Sequence, residues 1–339
     1  MIHRFHHFVE RPRPFKRFLR RPEPAERYLV RTDDGVQLHL RRVRRPGARR
    51  GVAVMLLHGL AANHQGFHFS PDLSLARWLA DRGHDVWLPE LRGHGESRPH
   101  RFDWSLEDYL TLDLPAILEG VQRYSSADGV QWVGHSMGGI LLMAYGMLYP
   151  ESPVERGVAV GSALDYKVGG SGFETLLAIR PVLQRMTAIP YGTLIHLLSP
   201  AFGRGLDALE VFNAWPSNID PLVSRELHAR CFHTIPVSLL RSLATTFDPE
   251  GLRLRSGFRL VEEADRIAFP IHLIGGSRDA QVHPQAVEHT AGLIGGNATV
   301  EIRGPDLGDR DHYGHWDLLV GRRVSAEIWP QIADFLETS

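Results

Sequence analysis

The sequence predicts an α/β fold, with a mostly parallel central sheet, helices on both faces and a helical cap inserted late in the chain. Three observations carry this. From residue 52 onward, short continuous apolar runs alternate with amphipathic helix patterns, as expected of a parallel sheet buried on both faces. The alternation breaks once, between about residues 163 and 266. The chain has 339 residues, 43% of them hydrophobic, and a formal net charge of −1. At roughly 100–200 residues per domain this allows one large domain with an insertion, and it excludes global disorder.

Before the alternation begins the chain is basic. Residues 1–50 hold 15 Lys/Arg against 5 Asp/Glu, so the remainder is net acidic. Residues 1–25 read as a basic N-terminal arm, in which Phe5, Phe8, Phe15 and Phe18 interleave with arginines while Pro12, Pro14 and Pro22 interrupt any continuous helix. A solvated or self-packing arm is the economical reading, and weak peripheral contact with an anionic membrane is the alternative. A signal-peptide-like apolar stretch is missing from the start, and no run of 18 apolar residues occurs. The lone Cys231 can form no internal disulfide. A cytoplasmic location is the simplest expectation, and an acidic body without a binding motif argues against nucleic acid as a partner.

Next, ERYLVRT and VQLHLRRV flank an Asp-Gly turn at Asp34-Gly35 and predict a hairpin. The parallel-strand candidates follow at Val52–Leu57, Asp85–Pro89, Gly129–Val133, Gly157–Gly161, Pro270–Gly275 and Thr299–Ile302. Helices are expected around 72–82, 105–123, 137–149, 284–294 and 328–337. Ser105 with Asp108 three residues on marks a helix start, and Pro330 suits a first helical turn. The core therefore divides into residues 26–162 and 267–339, around a cap over 163–266. The cap is rich in Leu, Pro and Phe, contains helix-like stretches such as ETLLAIRPVLQRM and SRELHARCF, and shows no convincing strand. Lying over the C-terminal edge of the sheet, where open α/β folds bind ligands, it would make a water-poor pocket for acyl or other hydrophobic substrates.

The strongest chemical signal is Gly134-His135-Ser136-Met137-Gly138, directly after VQWV and before GILLMAYGML. Strand, sharp turn and helix make a nucleophile elbow: the flanking glycines let helix and strand approach closely, and Ser136 Oγ projects into the pocket. A tight turn with a buried serine is the bland alternative. A serine hydroxyl needs a base and an orienting carboxylate, which in this architecture follow it in the order acid, then histidine. Asp279, after PIHLIGG in Gly276-Ser277-Arg278-Asp279, is the expected acid, with Asp165 as the fallback.

For the base, the segment DHYGHWD at 311–317 lies between the last strand and the last helix. His315 is the choice and His312 the competitor; one imidazole nitrogen would take the Ser136 proton while the other donates to Asp279. The spacing of His312 and His315 also suits a metal pair, but no third ligand lies at useful spacing, so neither metal nor cofactor is expected. The N–H groups of Met137 and of Leu60, in LLHGL, complete an oxyanion hole.

On these residues the chain resembles the α/β-hydrolase superfamily over residues 26–338. LLHGLAANHQGF, SLARWLADRGHDVWLPELRGHGES, GHSMGG, GSRD and YGHWDLLVG fall where that superfamily places its oxyanion strand, strand-four turn, elbow, acid and base. WSLEDYLTLDLPAIL followed by GHSMGG is similar to the acid-lipase and esterase branch. The resemblance implies an α/β-hydrolase fold and a cofactor-independent serine hydrolase acting on hydrophobic carboxylic esters through an acyl-enzyme. Its triad would be Ser136, Asp279 and His315, with Leu60 and Met137 as the oxyanion hole. Acyl transfer and thioester, peptide or carbon–carbon hydrolysis share the apparatus. A noncatalytic ligand-binding protein on the same scaffold is the reading from another class.

Serine at the elbow separates the chain from relatives with Asp there, such as epoxide hydrolases and haloalkane dehalogenases, and from polyester synthases with Cys. Glu90 stands where many relatives have Asp, a departure that touches loop packing. Arg92, His94 and Ser97 are expected to shape that loop. The cap aromatics Phe173, Tyr191, Phe202, Phe212 and Trp215 either line an acyl site or form the cap's own core.

Overall fold

The computed structural model describes residues 21–22, 25–48, 51–99, 101–175, 185–205 and 207–338. The basic arm up to residue 20 and most of ETLLAIRPVLQRM lie outside them. Eight strands form one sheet: β1 (Glu26–Arg31), β2 (Gln37–Val43), β3 (Val52–Leu57), β4 (Asp85–Glu90), β5 (Gly129–His135) and β6 (Val154–Val160), then β9 (Ile271–Gly276) and β10 (Ala298–Arg303). Between β6 and β9 lie the two-residue strands β7 (Ala188–Ile189) and β8 (Ile235–Pro236), paired antiparallel with each other. The sheet order is β1-β2-β4-β3-β5-β6-β9-β10. The β1–β2 hairpin joins antiparallel to β4, and all pairings from β4 to β10 are parallel.

The strands' apolar runs follow from burial on both faces. Along β3, Ala53, Met55 and Leu57 enter one core cluster with Trp87, Trp132 and Leu141, while Val54 and Leu56 enter a second with Leu79, Val133 and Trp329. Period-two alternation thus sends successive side chains into two different cores, each burial worth about 1.5–3 kcal/mol for a Leu or Met.

Among the described residues the longer helices are α1 (Leu75–Asp81), α2 (Leu114–Ser125), α3 (Met137–Leu148), α4 (Tyr191–Leu198), α5 (Asp207–Asn213), α6 (Pro221–Arg230), α7 (Val237–Ala244), α8 (Pro284–Ile294) and α9 (Trp329–Glu337). Ser74 caps α1 through the Arg77 N–H. Met137 to Met147 of α3 are all buried, as a helix apolar on every side must be. Ser105 and Asp108 form the expected capping box, but the helix they open passes through a π turn at Tyr109–Asp113 before α2. Among the described residues no helix is long and apolar enough to cross a membrane.

One expectation is corrected. The segment read as lacking strands contains β7 and β8; a two-residue strand, one of them holding Pro236, has no alternation from which to be read.

In this order the connection from β3 leads to β4 on one side, and the connection from β4 returns to β5 on the other. The topological switch therefore falls between β3 and β5, where open α/β sheets bind their ligands. Leu60, Ser136, Asp279 and His315 follow β3, β5, β9 and β10 respectively, so all four share the C-terminal edge of the sheet.

Candidate active site

Ser136 joins β5 to α3 with φ 55° and ψ −121°, a conformation costly for a residue bearing a Cβ. The surroundings enforce it. The Ser136 N–H donates to Val160 O on β6 at 2.8 Å, and its carbonyl accepts Ser162 Oγ at 2.8 Å. A Cβ on Gly138 would land on the Leu57 carbonyl oxygen, and one on Gly59 would lie 2.9 Å from Ser136 Cβ. Only glycine lets β3, the elbow and α3 approach this closely.

Asp279 and His315 meet directly: Asp279 Oδ2 lies 2.7 Å from His315 Nδ1, with both side chains buried. The other oxygen of Asp279 accepts the N–H groups of Gln281 (2.8 Å) and Val282 (2.9 Å). The histidine loop is pressed against β9, for the Arg278 N–H donates to Tyr313 O at 2.8 Å. The His315 ring also packs beside Gly161, at the end of β6, and 4.7 Å from the ring of His135, whose Nε2 lies 3.2 Å from His315 O. With Nδ1 committed to Asp279, Nε2 is the nitrogen left for a substrate-side proton. Ser136 Oγ makes no hydrogen bond among the described residues. Asp279 and His315, the expected acid and base, are thus joined, while Ser136 stands at the same sheet edge with its hydroxyl uncommitted among the described residues.

The alternative residues lie elsewhere. The Asp165 carboxylate accepts the Lys167 N–H at 3.0 Å, and His312 Nδ1 lies 3.0 Å from Ser277 Oγ, with its ring edge-on to Trp215. Neither joins Asp279 and His315. Among the described residues the Leu60 and Met137 N–H groups donate to no protein acceptor. The Leu60 loop is braced by His58: the Leu91 N–H donates to its Nε2 (3.2 Å), so Nδ1 carries the proton and donates to Gly59 O (2.9 Å). Burial pushes the His58 pKa down to about 4, leaving it a neutral scaffold.

Glu90 does bear on loop packing. Burial alone would raise its pKa, but His64 and Arg41 hold it far below the usual carboxylate range. It accepts the Glu96 N–H at 2.8 Å and occupies the space that a side chain at Gly95 would need. Arg92 bridges Asp34 and Asp113, and the Ser97 hydroxyl donates to Glu90 O at 2.7 Å. Among the aromatics between β6 and β9, Phe202 stacks on His228 at 3.5 Å and Phe173 meets Phe212 edge-on. Sequence reading gave no role to Gln281, Asn213 or Asp317, which tie the acid and base loops to the insertion; polar residues this far apart in the chain share no local pattern. Among the described residues no cluster of three or more His, Cys, Asp or Glu could hold a metal.

A family model described as alpha/beta hydrolase fold matches residues 52–321. Lipase 1 of Drosophila melanogaster is 35% identical over 117 residues, 32% of this chain and 26% of its own length. The poly(3-hydroxyalkanoate) polymerase subunit PhaC of Haloferax mediterranei is 22% identical over 303 residues, 84% of this chain and 58% of its own length. The chain therefore spans about a quarter of the first relative and less than two thirds of the second. Among solved structures, an esterase from Exiguobacterium antarcticum is similar at a TM-score of 0.63 and 17% identity, covering 91% of this chain and 99% of the other. The enol-lactonase from Burkholderia xenovorans is similar at 0.63 and 17%, covering 92% and 100%. At such identity the likeness speaks for the fold.

Proposed function

The chain belongs to the alpha/beta hydrolase fold family, and from that premise we propose that it is a serine hydrolase cleaving carboxylic esters with apolar acyl or alcohol groups. The observation that carries this reading is the 2.7 Å contact of His315 Nδ1 with Asp279, at the sheet edge where the strained elbow presents Ser136. Ser136 Oγ attacks the ester carbonyl carbon and passes its proton to His315 Nε2, while Asp279 stabilises the imidazolium. The N–H groups of Leu60 and Met137 receive the charge that develops on the carbonyl oxygen. Collapse expels the alcohol, which leaves with that proton. A water deprotonated by His315 then attacks the acyl-enzyme, releasing the acid and restoring Ser136. The sequence likeness to a lipase supports ester cleavage over other chemistry on the same scaffold.

The likeness to a polymerase subunit over most of the chain favours a second reading, acyl transfer from Ser136 to a hydroxyl other than water. Nitrophenyl esters of increasing chain length, beside an amide and a thioester and with and without a hydroxyl acceptor, separate the two. Ester hydrolysis that depends on Ser136 and favours an apolar acyl chain is the expected result. Turnover that prefers the amide or thioester, or products dominated by transfer to the acceptor, would overturn it.

A further inference from the structure

The loops carrying Asp279 and His315 are tied to the same stretch of the insertion, residues 212–218. On the acid side, the Gln281 main chain donates to Asp279 Oδ1, while its side-chain Nε2 donates to Phe212 O at 3.0 Å and Asn213 Oδ1 at 3.1 Å. On the base side, the Trp316 N–H donates to Asn213 O at 2.7 Å. The Asp317 carboxylate accepts the Gly314 N–H at 3.0 Å, the Trp215 N–H at 3.1 Å and Asn218 Nδ2 at 3.0 Å. Asn213 is fixed in turn, its Nδ2 donating to His228 Nε2 at 3.0 Å while His228 Nδ1 donates to Ser224 O at 2.7 Å.

Asn213, Asn218, Gln281 and Asp317 are all buried, so each bond lost would leave a polar group unpaired. Main chains meet as closely: a Cβ on Gly314 would lie 2.6 Å from Trp215 N. Covering a pocket requires only apolar packing. A polar bridge whose ends reach Asp279 itself and both neighbours of His315 fixes the spacing of the two loops.

We propose that residues 212–218 act as a clamp holding Asp279 and His315 in register, with Gln281 and Asp317 as its positioning residues. This rests on the triad reading and extends it, giving the insertion a part in catalysis apart from enclosing substrate. A displacement of about 1 Å in such a pair can cost on the order of a hundredfold in rate.

The test uses the full chain with nitrophenyl acetate, an ester too short to depend on a deep pocket. Gln281→Met and Asp317→Asn, singly and together, are compared with wild type and Ser136→Ala. Each single variant is expected to lower kcat by about tenfold or more with KM within about threefold. The downfield proton resonance of the His315–Asp279 bond is expected to shift or broaden. If Asp317→Asn fails to fold, Asn218→Ala removes one donor from the clamp and leaves the carboxylate. Wild-type kcat with an unmoved resonance, or a change in KM alone, would overturn the clamp. Should wild type be no faster than Ser136→Ala, the triad reading fails, and the resonance still reports whether the clamp sets the register of the pair.

Discussion

Around Ser136 the geometry is set by main chain: the elbow is held by its hydrogen bond to Val160 O and by close approaches at Gly59 and Gly138 that admit no side chain. Around Asp279 and His315 it is set largely by buried side chains, with Gln281, Asn213, Asn218 and Asp317 joining two loops to the insertion. The Ser136 half inherits the rigidity of a parallel sheet, where a Cβ added at Gly134 or Gly138 strikes backbone. The acid–base half is assembled from polar contacts that cost little to make and much to leave unpaired. Damage to the first should appear chiefly as lost stability, and damage to the second as lost rate on top of the roughly 1–3 kcal/mol for a polar group left unpaired.

The largest effect is expected from Asp279→Asn, which keeps the shape of the acid but removes the acceptor that selects the His315 tautomer. A fall in kcat of about 10⁴-fold on a short nitrophenyl ester is expected, with Asp165→Asn near wild type. A larger loss in the Asp165 variant would reassign the acid.

Acid should weaken both halves. Burial holds His58 and His228 down to about 4, and burial first, then neighbouring histidines, holds His94 and His135 well below 6.5. For a group with a depressed folded pKa, the stability is present above the unfolded value of 6.5 and is lost as pH falls toward the folded one. Asp113 and Asp317, raised by burial to about 7, act in the opposite sense over the same range. Burial lowers His39 and His272 as well, so six histidines oppose these two carboxyls and leave a net loss on acidification, at about 1.4 kcal/mol per pH unit for each uncompensated buried group. Urea midpoints at pH 7.5, 6.0 and 5.0 measure this, and a midpoint that rises toward pH 5 would contradict it.

A smaller effect is expected from Gly138→Ala, whose methyl meets the Leu57 carbonyl. It should cost about 1–3 kcal/mol in a urea titration. Gln281→Met, on the acid–base side, should lose less stability than rate. If the two variants exchange these signatures, the contrast between the halves is wrong.

The same contrast governs what the sequence discloses. β3 is legible because burial on both faces leaves an unbroken apolar run, β9 because His272 alone interrupts one, and the elbow because its glycines flank a serine between strand and helix. The meeting of Asp279 with His315 is legible because each sits in the loop after a strand at the same edge. The insertion resists reading: β7 and β8 are two residues long, and Asn213 finds Gln281 across 68 positions. Nor does composition separate Arg42, buried on Asp85 and over Trp87, from the basic stretch around it. Local patterns report burial and turns; they do not report which distant polar groups satisfy one another.

The central claim is that Ser136 is a nucleophile activated by His315. Labelling with a fluorophosphonate, followed by peptide mapping of the modified site, tests it most directly. The expected result is a single modified serine at position 136, absent in Ser136→Ala and formed far more slowly in His315→Ala. Label on another residue, or intact protein reacting no faster than Ser136→Ala, would contradict it.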